Sequence, residues 1–452
     1  MPDKYTMPSS KKQLRIIILT VALAIIAALI IWGVAASIAN KNAPTPTKEQ
    51  LSLNVNSGFP SGAQSVTAAL KAWSFPDFYQ RTILNVESCY ESNYYTGIEK
   101  TEALAKKTAK IFIDELYDVT DLKSKAEVTH AIANAYIHAV GDKYGVYRSE
   151  EQMQSYRQDL SGEVFGIGVT VTESQDGNIK VVSVVKGTPA EAAGISANDV
   201  IVAVNGTRVN SIGYSDATDM IRGEVDTEVV ITVLRDGAES DIKIIRKKFD
   251  DTTVYYEMLD GKIGYIEILR FKTNTSRQFV EALNALEKSG AEGIIFDLRS
   301  NPGGLLSSVV DILSYIAPSG TELVSFSNGK NKVTATHGTT LEPTDNVYTL
   351  PSVVLVNSLT ASAGELFAAA LRDFDEMELL DVTIAGQTTY GKGVMQTTVD
   401  FPGGAALTMT IAFYNTPLGK NYDGEGVIPS SPINNEQDPL EHSINLLKEM
   451  LS

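Results

Sequence analysis

Residues 353–374 read VVLVNSLTASAGELFAAALRDF. Val353–Val356 is a short apolar run of the kind that forms a buried strand. A polar turn follows, and Gly364–Phe374 continues as a helix. Strand, turn and helix in that order mark an α/β layer. The flanking sequence repeats the alternation: strand at Ile263–Ile268, helix at Ser276–Leu286, buried strand at Gly293–Leu298, helix at Leu305–Ile316. The expected class is therefore α/β with a central sheet, and Asp438–Leu451 closes the chain as an amphipathic helix.

Ser362 falls in the turn, at the start of the helix. Unpaired N–H groups and a partial positive charge at a helix N-terminus favour an alkoxide there, and the Ala363 N–H is a ready oxyanion donor. An N-cap serine is the plain alternative. About thirty residues on, YGKGVMQ (390–396) brings Lys392 between two glycines and Gln396 four positions later. If this segment is a strand, Lys392 and Gln396 share a face, and Gln396 can accept a hydrogen bond from the amine. A free lysine has a pKa near 10.4, so about one in 2,500 is neutral at pH 7. Service as a base needs that pKa lowered by roughly three, about 4 kcal/mol, which burial can supply. In DLRSNPGGLL (297–306) a strand ends and Gly303-Gly304 opens a helix, so a second oxyanion donor is assigned to the Gly303 or the Gly304 amide. A plain helix-start turn is the alternative.

The 452 residues carry 38 basic and 55 acidic side chains, formally −17, which disfavours nucleic acid as a partner. Cys89 is the single cysteine, so no intramolecular disulfide exists, and it reads as a partly buried structural thiol. The four histidines show no metal-ligand spacing and none neighbours a catalytic-looking serine. No cofactor or metal site is indicated.

Ile16–Ala39 is uncharged and apolar; about 24 residues at ~1.5 Å each cross a bilayer with some tilt. Lys4, Lys11, Lys12 and Arg15 precede it, which keeps residues 1–15 cytoplasmic and sends everything after Asn40 outward. The run exceeds the roughly 7–15 residues of a signal-peptide core, so an uncleaved transmembrane anchor is expected. Residues 40–76 read as a linker and 77–158 as a helical cap or arm. Residues 159–249 form a mostly-β module, 250–436 the α/β core, and 437–452 the terminal helix. The helical segments at 77–155 and 438–451 are candidates for a homodimer interface.

Phe165-Gly166-Ile167-Gly168 opens the β-rich segment, where a glycine-bracketed loop can offer backbone N–H groups to a carboxylate and the adjoining edge strand can accept an extended peptide. With VVKGTPAEAAGISANDVIVAVNG (184–206) it resembles a PDZ domain, with Phe165–Gly168 in place of the carboxylate-binding loop.

Taken in order, DKYGVY (142–147), GYIEILRF (264–271), LRSNPGG (298–304), TASAGE (360–365), GKGVMQ (391–396) and YNTPLGKNYDGEGVIP (414–429) resemble the carboxyl-terminal processing peptidases, or tail-specific proteases. The resemblance runs from about residue 130 to 434. It implies a serine endopeptidase with Ser362 as nucleophile, Lys392 as base and Gln396 as its support, on a crotonase-like core with an inserted PDZ domain that captures protein substrates by their free C-termini. It also implies that the PDZ domain gates the site, for which Arg222 in MIRG (220–223) is a candidate contact. The chain departs from the family's pattern at Gly364, where a second serine is frequent, and at Gln387, where a glutamate is usual. The stretch within RDFDEMELLD (372–381) is about five residues longer. The rival readings are a membrane-tethered PDZ scaffold without activity and an α/β enzyme acting on acyl thioesters.

Overall fold

The computed structural model describes residues 63–72, 77–98, 101–118, 125–259, 262–327, 332–335, 348–434 and 436–452. The expected anchor at 16–39 and most of the linker lie outside the described residues. No helix among the described residues is long and apolar enough to cross a membrane. The chain divides into two compact units: one takes residues up to Met153 with Met395–Ala412, the other Gln154–Val394 with Phe413–Ser452.

The first unit is built on helices Val66–Ala72, Asp77–Asn93, Glu102–Asp118 and Lys125–Val140. Val128, Ala131, Ile132, Ala135, Tyr136 and Ala139 recur at i, i+3 and i+4, and all are buried. All but Ala139 pack with Tyr90, Ile83, Leu407 and Met409. Strand Val146–Arg148 pairs antiparallel with Ala406–Thr408. Residues 395–412, part of the 250–436 segment, cluster with these helices. Asp142 is buried and collects the Tyr90 hydroxyl at 2.8 Å, the Thr410 hydroxyl at 2.7 Å, the Thr410 amide at 3.0 Å and the Tyr144 amide at 3.2 Å. Cys89 is half-buried against this core, and burial pushes its thiol up to about 11, so it is the inert thiol expected.

The second unit carries the PDZ-like sheet, in strand order Val169–Glu173, Ile179–Val184, Val200–Val204, Glu228–Arg235, Ala238–Ile245. Helix Tyr214–Ile221 lies in this module, and Glu163–Gly166 pairs with Lys247–Asp250 where the chain enters and leaves it. Val169–Glu173 is an edge strand, paired on one side only.

The α/β sheet of this unit has six strands in sequence order: β1 Val254–Leu259, β2 Ile263–Ile268, β3 Gly293–Asp297, β4 Ser352–Val356, β5 Val382–Gly386 and β6 Ser431–Pro432. β1 and β2 are antiparallel and every later pair is parallel. All residues of β3 and β4 are buried, as continuous apolar runs in a parallel sheet must be. Helices α1 Thr275–Lys288, α2 Leu306–Ile316 and α3 Ala363–Glu376 follow β2, β3 and β4. Phe279 of α1, Phe296 of β3 and Phe367 of α3 stack mutually, with ring centres 5.6–6.2 Å apart. On the other face α4, Pro439–Met450, sets Leu447 against Ile263, Ile295, Val353 and Leu355. A Cβ on Gly293 would sit only 3.0 Å from Leu447, so glycine lets α4 seat closely. The apolar face of α4, a candidate for a dimer interface, is thus packed on its own sheet.

Candidate active site

Ser362 occupies the N-cap of α3 with φ 55° and ψ −115°, a conformation that a serine holds only under strain, on the order of 1–3 kcal/mol. The sharp turn from β4 into α3 resembles in form the elbow that presents a nucleophile above a sheet. Hydrogen bonds to a neighbouring loop hold it. Asn357 Oδ1 accepts from the Ser300 amide at 2.9 Å and the Leu359 amide at 3.1 Å. The Thr360 hydroxyl donates to the Leu298 carbonyl at 2.8 Å, and the Ala361 amide to the Asn301 carbonyl at 2.9 Å.

That loop supplies the two glycines. A Cβ on Gly303 (φ 95°) would lie 2.9 Å from both Ser362 Cβ and the Ala363 nitrogen, and one on Gly304 (φ 141°) would lie 2.0 Å from the Phe271 carbonyl oxygen. No other residue leaves that space open. Buried Asn301 sets the loop: its Nδ2 donates to the Ile268 carbonyl at 2.7 Å, and its Oδ1 accepts from the Gly303 amide at 2.8 Å. The Gly303 N–H is therefore engaged. Those of Gly304 and Ala363 have no acceptor among the described residues. The neighbouring bonds from Phe271 N to Gly303 O and from Leu305 N to Phe271 O turn the Gly304 N–H away from Phe271.

Glu365, the last residue of TASAGE (360–365), is fully buried and accepts four hydrogen bonds. Oε2 takes the amides of Ser362 at 2.7 Å and Lys392 at 2.8 Å; Oε1 takes the Thr389 hydroxyl at 2.5 Å and the Gly391 amide at 2.6 Å. The signal was present: serine followed three residues later by glutamate at a helix start is a capping box. What the spacing could not show is that the same carboxylate also holds the lysine loop.

Lys392 is half-buried and lies two residues before the strand Val394–Asp400, in a loop fixed on both sides. The Gly393 amide donates to Asp423 at 3.0 Å, and Asn421 Nδ2 donates to the Gly393 carbonyl at 2.9 Å. Gly391 (φ 87°) adopts a left-handed conformation, and a Cβ on Gly393 would approach the Asp423 nitrogen to 2.6 Å, so both glycines answer to backbone crowding. Buried Tyr422, from the segment 414–429, donates its hydroxyl to the Ser362 carbonyl at 3.3 Å. Burial, with the Glu365 charge beside it, holds that phenol well above its ordinary pKa, so it stays a donor. Gln396 belongs to the first unit, where its side-chain nitrogen donates to the Tyr144 carbonyl at 2.6 Å.

One histidine does meet a serine: His442 Nε2 lies 2.8 Å from Ser431 Oγ. No carboxylate among the described residues orients its other ring nitrogen, so the pair lacks the third member of a triad there. No cluster able to hold a metal occurs among the described residues.

In the PDZ-like module Phe165 and Gly166 are the end of a strand, not a loop, because they pair with Lys248 and Lys247. Ile167 is buried in the module core. Gly168 (φ 90°) is forced by Thr188, whose Cβ would be 2.2 Å from an added Cβ. The N–H groups of Ile167 and Gly168 have no acceptor among the described residues, while their carbonyls receive Ala190 at 2.8 Å and Val185 at 3.0 Å. On the edge strand, Val171 stands opposite Val181, whose own N–H points to Asp199 on the far side, so the Val171 carbonyl faces the open edge. The Tyr214 hydroxyl donates to it at 3.2 Å. Arg222 is exposed and pairs with Asp219 at 3.2 Å.

Comparison with known proteins places this geometry. Peptidase family S41 matches residues 262–433 and the PDZ domain matches residues 165–245. The "Carboxy-terminal processing protease CtpA" of Bacillus subtilis (strain 168) is 35% identical over 337 residues, covering 74% of this chain and 69% of that protein. A "Probable CtpA-like serine protease" of Staphylococcus aureus (strain bovine RF122 / ET3-1) is 32% identical over 385 residues, 84% of this chain and 75% of that protein. Among solved structures, the photosystem II D1 C-terminal processing protease aligns with a TM-score of 0.46 at 25% identity, covering 82% of this chain and 97% of that one. The chain belongs to peptidase family S41 and is a serine-type C-terminal processing peptidase that carries a PDZ domain.

Proposed function

We propose that this peptidase is a membrane-anchored endopeptidase that cleaves proteins outside the cytoplasmic membrane through a Ser362/Lys392/Gln396 site. The neutral amine of Lys392 takes the Ser362 proton as the hydroxyl oxygen attacks the peptide carbonyl. The amides of Ala363 and Gly304 stabilise the oxyanion; the engaged Gly303 N–H leaves Gly304 as the donor on that loop. Lys392 then protonates the leaving amine, and water hydrolyses the acyl-enzyme. Gln396 is assigned the role of holding the amine in place, and its own side chain is anchored by the bond from its nitrogen to the Tyr144 carbonyl.

The observation that carries this reading is the convergence of the Ser362 and Lys392 amides on one oxygen of Glu365. The PDZ domain captures substrate C-termini, supported by the free N–H groups of Ile167 and Gly168 beside an open strand edge. The apolar run at 16–39, with four basic residues before it, supports the anchor and the outward-facing catalytic unit. A fluorogenic peptide assay on Ser362→Ala and Lys392→Ala tests the chemistry: each variant is expected to lose hydrolysis, and full activity in either contradicts it. Protease shaving of intact cells tests the topology. The catalytic unit is expected to be digested from outside, and its protection would contradict the anchor as drawn.

A further inference from the structure

A cavity of about 360 Å³ opens beside the nucleophile turn, lined by Glu267, Leu269, Asp297, Arg299, Ser300 and Asn357. It lies at the carboxyl ends of β2, β3 and β4, the end of an open α/β sheet where ligands collect. Its wall is shared with the catalytic loops. Ser300 and Asn357 are joined by the Ser300 amide, and the next residue, Asn301, receives the Ala361 amide beside Ser362. A peptide crossing Ser362 therefore passes its side chains close to this opening.

The charges in the cavity are unequally matched. Arg299 is clamped on Asp297, with Nη2 to Oδ2 at 2.6 Å and Nε to Oδ1 at 3.0 Å, and the Tyr265 hydroxyl adds a bond to the same carboxylate at 2.7 Å. That pair is internally neutral. Glu267, opposite Asp297 in the β2–β3 register, has no hydrogen bond and no ion pair among the described residues. It is half-buried, and its pKa is raised first by loss of water and then by Asp297 beside it, with the charge of Arg299, already clamped on Asp297, opposing the rise. A partly desolvated carboxylate without a partner is costly unless a cation reaches it. Exposed Leu269, on the same wall, offers an apolar surface for the carbon stem of a long side chain.

We propose that this cavity is a substrate subsite for a lysine or arginine side chain, with Glu267 as its counter-charge and Leu269 as the seat of its aliphatic stem. The inference rests on Ser362 being the nucleophile. It is tested by sequencing the cleavage products of a peptide library digested by the full chain, with Ser362→Ala as the blank. Lysine and arginine are expected to be enriched at one position near the scissile bond. Within each variant, the ratio of kcat/KM for a lysine peptide over its norleucine counterpart is then measured. Glu267→Gln is expected to lower that ratio about tenfold, and Glu267→Lys to favour an acidic residue at the same position. A wild-type profile with no basic enrichment, or an unchanged ratio in both variants, overturns the subsite. A wild type that cleaves nothing the blank spares overturns the Ser362 reading and the subsite with it.

Discussion

The backbone amides of Ser362 and Lys392 donate to the same oxygen of Glu365, at 2.7 and 2.8 Å. The proposed nucleophile and base, thirty positions apart in the chain, are thereby hung from one buried carboxylate, and the other oxygen fixes Gly391 and Thr389. Glu365→Gln places an NH₂ against amide donors and strands two of them. The expected cost is on the order of 2–3 kcal/mol of stability and a fall in kcat/KM of roughly 100-fold, because the loops lose their common tether. Thermal unfolding and peptide hydrolysis on the same preparation check both, and wild-type values for the variant would remove Glu365 from this role.

Gly303→Ala puts a methyl group 2.9 Å from Ser362 Cβ and the Ala363 nitrogen, in the space where an oxyanion would form. The expected result is a drop in kcat of roughly 100-fold, with KM changed far less. Gly303→Ala also meets the Ala361 carbonyl oxygen at 2.8 Å and Gly304→Ala the Phe271 carbonyl oxygen at 2.0 Å, so both are expected to lower the melting temperature, Gly304→Ala by more. Steady-state kinetics with calorimetry separate the two.

Tyr214 bonds an edge carbonyl, at Val171, of the kind that an added peptide strand would use. Removing the hydroxyl frees that acceptor. Tyr214→Phe, in a Ser362→Ala background, is expected to bind a labelled C-terminal peptide about 2- to 10-fold more tightly, read by fluorescence polarisation. Weaker binding would show that the hydroxyl belongs to the peptide site rather than competing with it.

Asp199 is buried, and the Arg235 guanidinium holds its carboxyl below the usual carboxylate range, with Nε and Nη2 at 2.7 and 2.6 Å. Its pKa is lowered by folding, so its contribution is present above the unfolded value, near 3.9, and is lost as pH falls through the folded value. Asp199→Asn is therefore expected to weaken the PDZ module at pH 7 and to flatten its loss of stability below about pH 4. Hydrogen exchange in Val200–Val204 and Glu228–Arg235 measures this directly.

The sheet was readable where burial is one-sided or complete: β3 and β4 are apolar but for Asp297 at the end of one and Ser352 at the start of the other, and α3 begins where serine, glycine and glutamate cap it. The candidates Ser362, Lys392, Gly303 and Gly304 stand out in the sequence because their neighbours are small residues in turns. The partners that fix them were not. Asn301, Asn357 and Thr360 act through hydrogen bonds between loops far apart in sequence, which no local pattern encodes. For the same reason the sequence left the oxyanion donor open between Gly303 and Gly304, since only the Asn301 side chain distinguishes them. Residues 395–412 lie within the 250–436 segment yet cluster with the N-terminal helices, since alternation reveals a strand but not which sheet it joins.

The most direct test follows the reaction of Ser362 with a fluorophosphonate as a function of pH, in the wild type and in Lys392→Ala. With Lys392 as the base, the wild-type labelling rate rises through a single ionisation well below 10.4, and that step vanishes with a rate loss of at least about 1,000-fold in the variant. An identical profile in both proteins would show that another group takes the serine's proton.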